Sequence, residues 1–138
     1  MSESITHMSY VSKIFEYVKQ IVPKNNSSLI ILDSPDSYDN TIPVINGFRP
    51  DLTYKINDTL ILGEAKTDDD VERRHSLNQY YSYLKEADSF DGNAIVVFCV
   101  SWKMFSTIKN HLRYIRRQNA FNKVKIIVLN DKGDINVL

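Results

Sequence analysis

The chain lacks most features of secreted, membrane-spanning and disulfide-stabilised proteins. Its single cysteine, Cys99, excludes an intrachain disulfide, and the apolar run 94–100 around it predicts a buried, unreactive thiol. No apolar run reaches about 18 residues, and the first residues are polar, whereas a signal peptide has a basic and then an apolar segment. Neither secretion nor membrane insertion is indicated. We therefore expect an intracellular protein, in the cytoplasm, or in the host cytoplasm or nucleus if it is viral.

Acidic residues are missing from one long segment, although the whole chain has no net charge. Lysine and arginine number 17, as do aspartate and glutamate, and a neutral protein is at first a poor candidate for nucleic-acid binding. However, residues 102–126 contain seven cations and no acidic residue. Local cations are sufficient to neutralise phosphates. This segment is therefore either a phosphate-binding surface or a solvated basic helix face.

The chain of 138 residues shows no repeat, linker or low-complexity tract, so we expect a single domain, 1–138. Apolar spacing predicts helices over residues 5–22, 68–87 and 102–119, and short apolar or alternating runs predict strands over residues 28–32, 51–56, 59–66, 94–100 and 124–129. The resulting order is αβββαβαβ, in the α/β class. The long segment 33–47 predicts a loop, and we expect 51–56 and 59–66 to form an antiparallel hairpin.

Two boundaries depend on helix capping. The acidic run Asp68-Asp69-Asp70 is expected to begin the second helix, where carboxylates favour the helix dipole. Ser101 is expected to cap the third helix. The fully apolar strand 94–100 is expected to be central in the sheet.

Asp51, Glu64 and Lys66 are the residues most indicative of chemistry. Glu64 and Lys66 end the strand 59–66 and share a face, because alternate strand residues point to the same side, while Ala65 points away. The neighbouring strand can bring the Asp51 carboxylate to the same end of the sheet. Paired carboxylates bind hard divalent ions such as Mg²⁺, and a lysine beside them can stabilise the charge of phosphoryl transfer. These residues indicate phosphodiester hydrolysis. The alternative is that they are only surface charges at the end of a strand.

The pattern Pro50-Asp51, followed by Glu64-Ala65-Lys66 at the end of an apolar strand, resembles the signature of the PD-(D/E)xK nuclease superfamily. The resemblance implies a restriction-endonuclease-like αβββαβ core, a mixed sheet flanked by helices, here with an additional C-terminal helix and strand. It implies that Asp51, Glu64 and the main-chain carbonyl of Ala65 hold Mg²⁺ or Mn²⁺, and that Lys66 orients or polarises the attacking water. The implied function is a metal-dependent deoxyribonuclease.

Further residues extend this resemblance. Gln79 and Tyr83 lie one helical turn apart and resemble an additional motif of RecB-like and Cas4-like nucleases, in which the pair lies near the active site and contacts DNA. Glu72 falls on the same flank and is a weaker candidate for a metal ligand. Many family members also use an acidic residue of the first helix, for which only Glu3 and Glu16 are available, and Glu16 lies opposite the apolar stripe.

The expected partners are DNA and a second copy of the chain. Small nucleases of this kind, such as Holliday-junction resolvases, act as homodimers, and symmetric pairing is the commonest oligomeric form. The expected DNA contacts are six cations: Arg73, Arg74, Lys109, Arg113, Arg116 and Arg117. Three alternatives stay open: a RecB-like exonuclease or end-processing nuclease, a catalytically silent DNA-binding or protein-interaction module, and an unrelated α/β domain.

Overall fold

A computed structural model describes residues 4–33 and 44–138. Most of the predicted loop 33–47, and also Glu3, therefore lie outside the described residues. The helices are α1 (Ile5–Ile21), α2 (Arg74–Asp88) and α3 (Phe105–Asn119). The strands are β1 (Ile31–Leu32), β2 (Leu52–Ile56), β3 (Thr59–Ala65), β4 (Asn93–Val100), β5 (Lys125–Asn130) and β6 (Ile135–Val137).

The strands form one mixed six-stranded sheet in the order β1-β2-β3-β4-β5-β6. Strands β3, β4 and β5 are parallel, and the other neighbours are antiparallel. The predicted hairpin is confirmed as β2 and β3, joined by Asn57-Asp58, and β4 lies between two parallel strands as its apolar sequence predicted. The carboxyl ends of β3 and β4 therefore meet at one edge of the sheet, which we term the carboxyl edge.

Helix α1 covers one face of the sheet, and α2 and α3 cover the other. The sequence of α1 places Ile14 and Val18 against the sheet, where both are fully buried. Gly63 permits this close approach, because a Cβ built there would lie 2.8 Å from Ile14 Cγ2 and 3.1 Å from Leu52 Cβ. The packing of α1 on β3 thus depends on a residue without a side chain.

The structure corrects the predicted start of the second helix. Residues Asp68–Asp70 form a separate 3₁₀ turn, and α2 begins only at Arg74. Two side-chain contacts hold this segment away from the helix: Asp68 Oδ1 accepts a hydrogen bond from Ser101 Oγ at 2.6 Å, and the carbonyl of Val71 accepts one from the Tyr80 hydroxyl at 2.8 Å. The Asp68 contact occupies the Ser101 hydroxyl, which makes no side-chain cap at the third helix.

The remaining corrections concern short strands. Residues Lys24–Leu29 form a 3₁₀ turn, in which Ser27 Oγ donates to the carbonyl of Lys24, so the strand predicted over 28–32 is reduced to β1. The third helix is also preceded by a 3₁₀ turn, Trp102–Met104. Strand β6 was not predicted, and it extends the order to αβββαβαββ. Within the described residues, no helix is long and apolar enough to cross a membrane.

Candidate active site

Asp51 and Glu64 lie side by side at the carboxyl edge. In the β2–β3 register, Leu52 pairs with Gly63, so continuing it by one residue places Asp51 directly opposite Glu64. Both carboxylates are buried, with 7% and 5% of the residue exposed. Two like charges this close to a core are costly without a compensating cation. The two carboxylates are therefore candidates for a functional site.

The Asp51 carboxylate contacts one group of β3 and one group of α1. Its Oδ2 atom accepts a hydrogen bond from the Ala65 N–H at 2.8 Å and lies 3.2 Å from Nε2 of His7. Ala65 belongs to β3, whereas His7 belongs to the first turns of α1, where Ser4 caps the helix by accepting from the His7 N–H. Both contacts involve the same oxygen, so they fix the orientation of the carboxylate.

Glu64 and Lys66 are joined by a buried network that includes two residues of α2. Lys66 Nζ lies 3.6 Å from Glu64 Oε2 and donates a hydrogen bond to Gln79 Oε1. The Tyr83 hydroxyl donates to Glu64 Oε1 at 3.1 Å, and Gln79 Nε2 lies 3.5 Å from the Tyr83 hydroxyl. All four residues are buried. One flank of α2 thus contacts both charged groups that end β3, while Ala65 points into the core beneath α1.

Within this network, the pKa of the Glu64 carboxyl group is raised by its surroundings. Its burial raises the pKa of the carboxyl well above the ordinary value, and the nearby Asp51 carboxylate raises it further. The Lys66 ammonium and the Tyr83 hydrogen bond act in the opposite direction. Burial and Glu64 in turn raise the pKa of the Tyr83 hydroxyl, which keeps that hydroxyl a donor. A cation placed between the two carboxylates would relieve their repulsion.

The donor set suits a hard divalent ion. Two carboxylates and a carbonyl are oxygen ligands, and Mg²⁺ completes its shell with waters and substrate oxygens. Continuing the β2–β3 register places Pro50 opposite Ala65, and proline has no N–H to donate to the Ala65 carbonyl. Among residues 4–33 and 44–138, no group of three or more histidines, cysteines, aspartates and glutamates is arranged to hold a metal. Any ion here would depend on two carboxylates, one carbonyl and external ligands.

His7 is the site residue that sequence reasoning missed. Glu16, the candidate from the first helix, is exposed, as its place opposite the apolar stripe predicted. Its carboxylate lies 3.8 Å from Lys19 Nζ. The available signal was the helical spacing from His7 to Ile14 and Val18, which puts His7 on the buried side of α1. The candidate Glu72 is corrected, because its exposed carboxylate lies 2.9 Å from His111 Nε2 on α3 instead of reaching the site.

The predicted DNA-contacting cations fall into two groups. Arg73 and Arg74 are exposed and flank the start of α2, which follows the carboxyl edge. Helix α3 runs back from that edge, so Arg116 and Arg117, in its last turn, lie at the opposite edge beside the start of β5. The structure therefore does not bring these two to the site.

The predicted cations of α3 differ in whether their side chains are hydrogen-bonded within the protein. Lys109 donates to Asn136 Oδ1 at 3.0 Å, and Arg116 donates to the carbonyl of Val124 at 2.6 Å. Burial lowers the pKa of Arg116. Arg113 is exposed, so α3 does not present its four predicted cations as one solvated face.

Comparisons with protein-family models, with curated proteins and with solved structures found no match for this chain. Its function must therefore be argued from the chemistry of the site, because resemblance in fold alone would not establish an activity. The residues to be explained are two adjacent carboxylates, a lysine and the two α2 side chains that hold them.

Proposed function

We propose that this protein is a metal-dependent deoxyribonuclease of the PD-(D/E)xK type. One observation carries the proposal: the carboxylates of Asp51 and Glu64 and the ammonium of Lys66 are buried together at the end of β3. Charged groups of this kind are seldom buried for stability alone, since desolvation costs more than most ion pairs return. Perturbed, clustered ionisable groups are typical of catalytic sites.

Each residue has a role that its contacts support. A divalent ion would supply charge stabilisation to the phosphate and lower the pKa of an attacking water. Asp51, Glu64 and the Ala65 carbonyl would hold it, with His7 fixing Asp51 Oδ2. Lys66 would orient the water and stabilise the developing negative charge. Gln79 and Tyr83 would hold Lys66 and Glu64 in place.

The arrangement of elements supports the finer fold assignment that we propose. Helix α1, strands β1 to β3, helix α2 and strand β4 follow the αβββαβ order of a restriction-endonuclease-like core. Asp51 directly precedes β2 and Glu64 lies near the end of β3, its antiparallel neighbour, so the two carboxylates of the signature meet at the carboxyl edge of a mixed sheet.

A RecB-like exonuclease or end-processing nuclease is the second candidate. It is favoured by the direct contacts of Gln79 with Lys66 and of Tyr83 with Glu64, because a glutamine and a tyrosine one turn apart resemble the additional motif of RecB-like nucleases. The two candidates differ in substrate: an end-processing enzyme requires a free DNA end, whereas an endonuclease cuts closed circles. A homodimer stays a prediction for either, and sedimentation of the purified protein tests it.

The direct test is incubation of the purified protein with linear, closed-circular, single-stranded and branched DNA, with Mg²⁺ or Mn²⁺ and with a chelator. We expect metal-dependent cleavage of at least one substrate. We also expect the variants Asp51→Ala, Glu64→Ala and Lys66→Ala each to abolish it while remaining folded, since each removes a charge from the site. Binding of DNA without cleavage under all these conditions would favour a silent binding module instead.

A further inference from the structure

A short hairpin places one aromatic side chain beside the site. Ile45 and Phe48 exchange two main-chain hydrogen bonds, of 2.7 and 2.9 Å, around Asn46-Gly47. Both central residues have positive φ, 52° and 84°, which is the conformation that an Asn-Gly pair favours in a tight hairpin turn. Asn46 Nδ2 also donates to Ser82 Oγ on α2 at 3.1 Å. The hairpin that carries Phe48 is therefore joined to α2 through Asn46.

Phe48 connects the protein surface to the candidate active site. Its ring packs edge-on against His75, with centroids 5.2 Å apart, and against Tyr83, with centroids 6.5 Å apart. Tyr83 in turn donates to Glu64, so one buried side chain separates Phe48 from the carboxylate. His75 is exposed and Phe48 is half-buried. We term these two residues the aromatic rim.

Three arginines are sequence neighbours of the aromatic rim. Arg49 follows Phe48, and Arg73 and Arg74 precede His75; all three are exposed. Arg49 lies 3.6 Å from Asp33, and Arg73 lies 3.3 Å from Asp70. Exposed ion pairs of this kind contribute little, so phosphates can replace their carboxylate partners at low cost.

The side-chain chemistry of this surface favours an unpaired strand over a duplex. Aromatic side chains bind nucleic acid by stacking on the face of a base, and inside a duplex those faces are covered by neighbouring base pairs. A surface that read a duplex would instead need a helix or strand entering a groove. Rings flanked by arginines fit a strand whose bases are open.

We propose that the aromatic rim stacks an unpaired nucleotide of a DNA strand, while Arg49, Arg73 and Arg74 contact the flanking phosphates. The inference rests on the proposed nuclease function, and it specifies the substrate as single-stranded DNA or a single-stranded branch of a larger DNA. Phe48 and His75 would select the substrate, whereas Asp51, Glu64 and Lys66 would cleave it.

The test is fluorescence anisotropy with a labelled single-stranded oligonucleotide and a blunt duplex, in chelator, with Glu64→Gln present in every protein to prevent cleavage. We expect tighter binding of the single strand. His75→Ala and Phe48→Leu should each weaken that binding about tenfold, within the range for loss of one stacked base, and should leave duplex binding unchanged. Phe48→Tyr keeps the ring and should restore binding.

Tyr114→Leu is the matched control, because Tyr114 is an exposed aromatic residue of α3 and should have no effect. Since His75 is exposed, His75→Ala tests the proposal even if Phe48→Leu fails to fold. Single-strand binding that is unchanged in His75→Ala and in Phe48→Leu, or weakened equally for duplex, would overturn the proposal. Loss of binding in the rim variants of a protein that cleaves no DNA would instead contradict only the nuclease function.

Discussion

Tyr83 donates a hydrogen bond to Glu64, with the hydroxyl oxygen 3.1 Å from Oε1. Tyr83 is fully buried in α2, and Glu64 is buried at the end of β3. The bond therefore joins the helix to a carboxyl group whose pKa is raised well above its ordinary value by burial. The hydrogen bond favours the ionised carboxylate, in opposition to burial and to Asp51. An ionised Glu64 is the form that can hold a cation.

We predict that Tyr83→Phe weakens divalent-ion binding about tenfold. The substitution keeps the buried ring but removes the donor, and a hydrogen bond to a charged group is worth about 1.5–3 kcal/mol. The pKa of Glu64 would rise further, so protons would compete more strongly with the ion. Titration calorimetry with Mn²⁺ at neutral pH measures the effect.

Tyr80→Phe provides the control for that prediction. Tyr80 is equally buried in the same helix, and its hydroxyl donates to the neutral carbonyl of Val71 at 2.8 Å. Its loss should cost about 1 kcal/mol of stability without changing metal affinity. Equal affinities of wild type and Tyr83→Phe, or equal losses in both variants, would show that the Tyr83 hydroxyl does not act on the ion.

Glu64→Gln should change how stability depends on pH. Because folding raises the pKa of Glu64 above its ordinary value of 4.5, the contribution of Glu64 to stability is complete below that pH and is lost as the pH rises through the raised value. Glutamine does not titrate. The stability of Glu64→Gln relative to wild type should therefore increase as the pH rises from about 5 to about 8.

Chemical denaturation without metal, at both pH values, measures this difference. Glu16→Gln is the matched control, since Glu16 is exposed and its partner Lys19 is 3.8 Å away. A relative stability of Glu64→Gln that stays flat with pH, like that of the control, would mean that Glu64 is not protonated more readily in the folded state.

Gly63→Ala should disturb the site through packing alone. The added methyl group would lie 2.8 Å from Ile14 Cγ2, so Ile14 must shift and we expect α1 to move away from β3; overpacking of this kind costs about 1–3 kcal/mol. The movement would also separate His7 from Asp51, which lie 3.2 Å apart. We expect a lower melting temperature together with weaker Mn²⁺ binding. A stable variant with normal metal affinity would contradict the role given to α1.

Much of the fold follows from sequence pattern because its elements are strongly periodic. The stripe of α1, the β2–β3 hairpin and the apolar β4 all lie close to their predicted ranges. The start of α2 could not be predicted, since the Asp68 and Val71 contacts that set it come from residues 33 and 9 positions away. Strand β6 has only three residues, too few for alternation to be recognised.

The sequence predicts those parts of the site that depend on the spacing of residues within one strand or one helix. Alternation along β3 places Glu64 and Lys66 together, and helical spacing places Gln79 and Tyr83 on one flank of α2. The resemblance to RecB-like nucleases implied that this flank lies at the site, where both residues make their contacts. The position of His7 depends instead on how closely α1 packs at Gly63, which sequence spacing does not reveal. Likewise, the charges of α3 gave no indication that Arg116 binds the carbonyl of Val124.

The salt dependence of DNA binding should locate the phosphate contacts. Replacing Arg73 and Arg74 by alanine should reduce the slope of affinity against salt by about 1 to 2, because each phosphate contact releases condensed counterions. The matched control is Arg113→Ala combined with Arg117→Ala, two exposed cations of α3, and it should change the slope less. A larger change in the control would mean that DNA follows α3. All proteins carry Glu64→Gln to prevent cleavage.

The most direct test of the account is the single-turnover rate of DNA cleavage in Mg²⁺ for wild type, Glu64→Gln and Glu72→Gln. Glu64→Gln removes one carboxylate of the buried pair, whereas Glu72 is an exposed glutamate paired with His111, outside the site. We predict that Glu64→Gln lowers the rate at least about 100-fold and that Glu72→Gln leaves it unchanged. Cleavage by Glu64→Gln at the wild-type rate, or no cleavage by wild type, would contradict the proposed function.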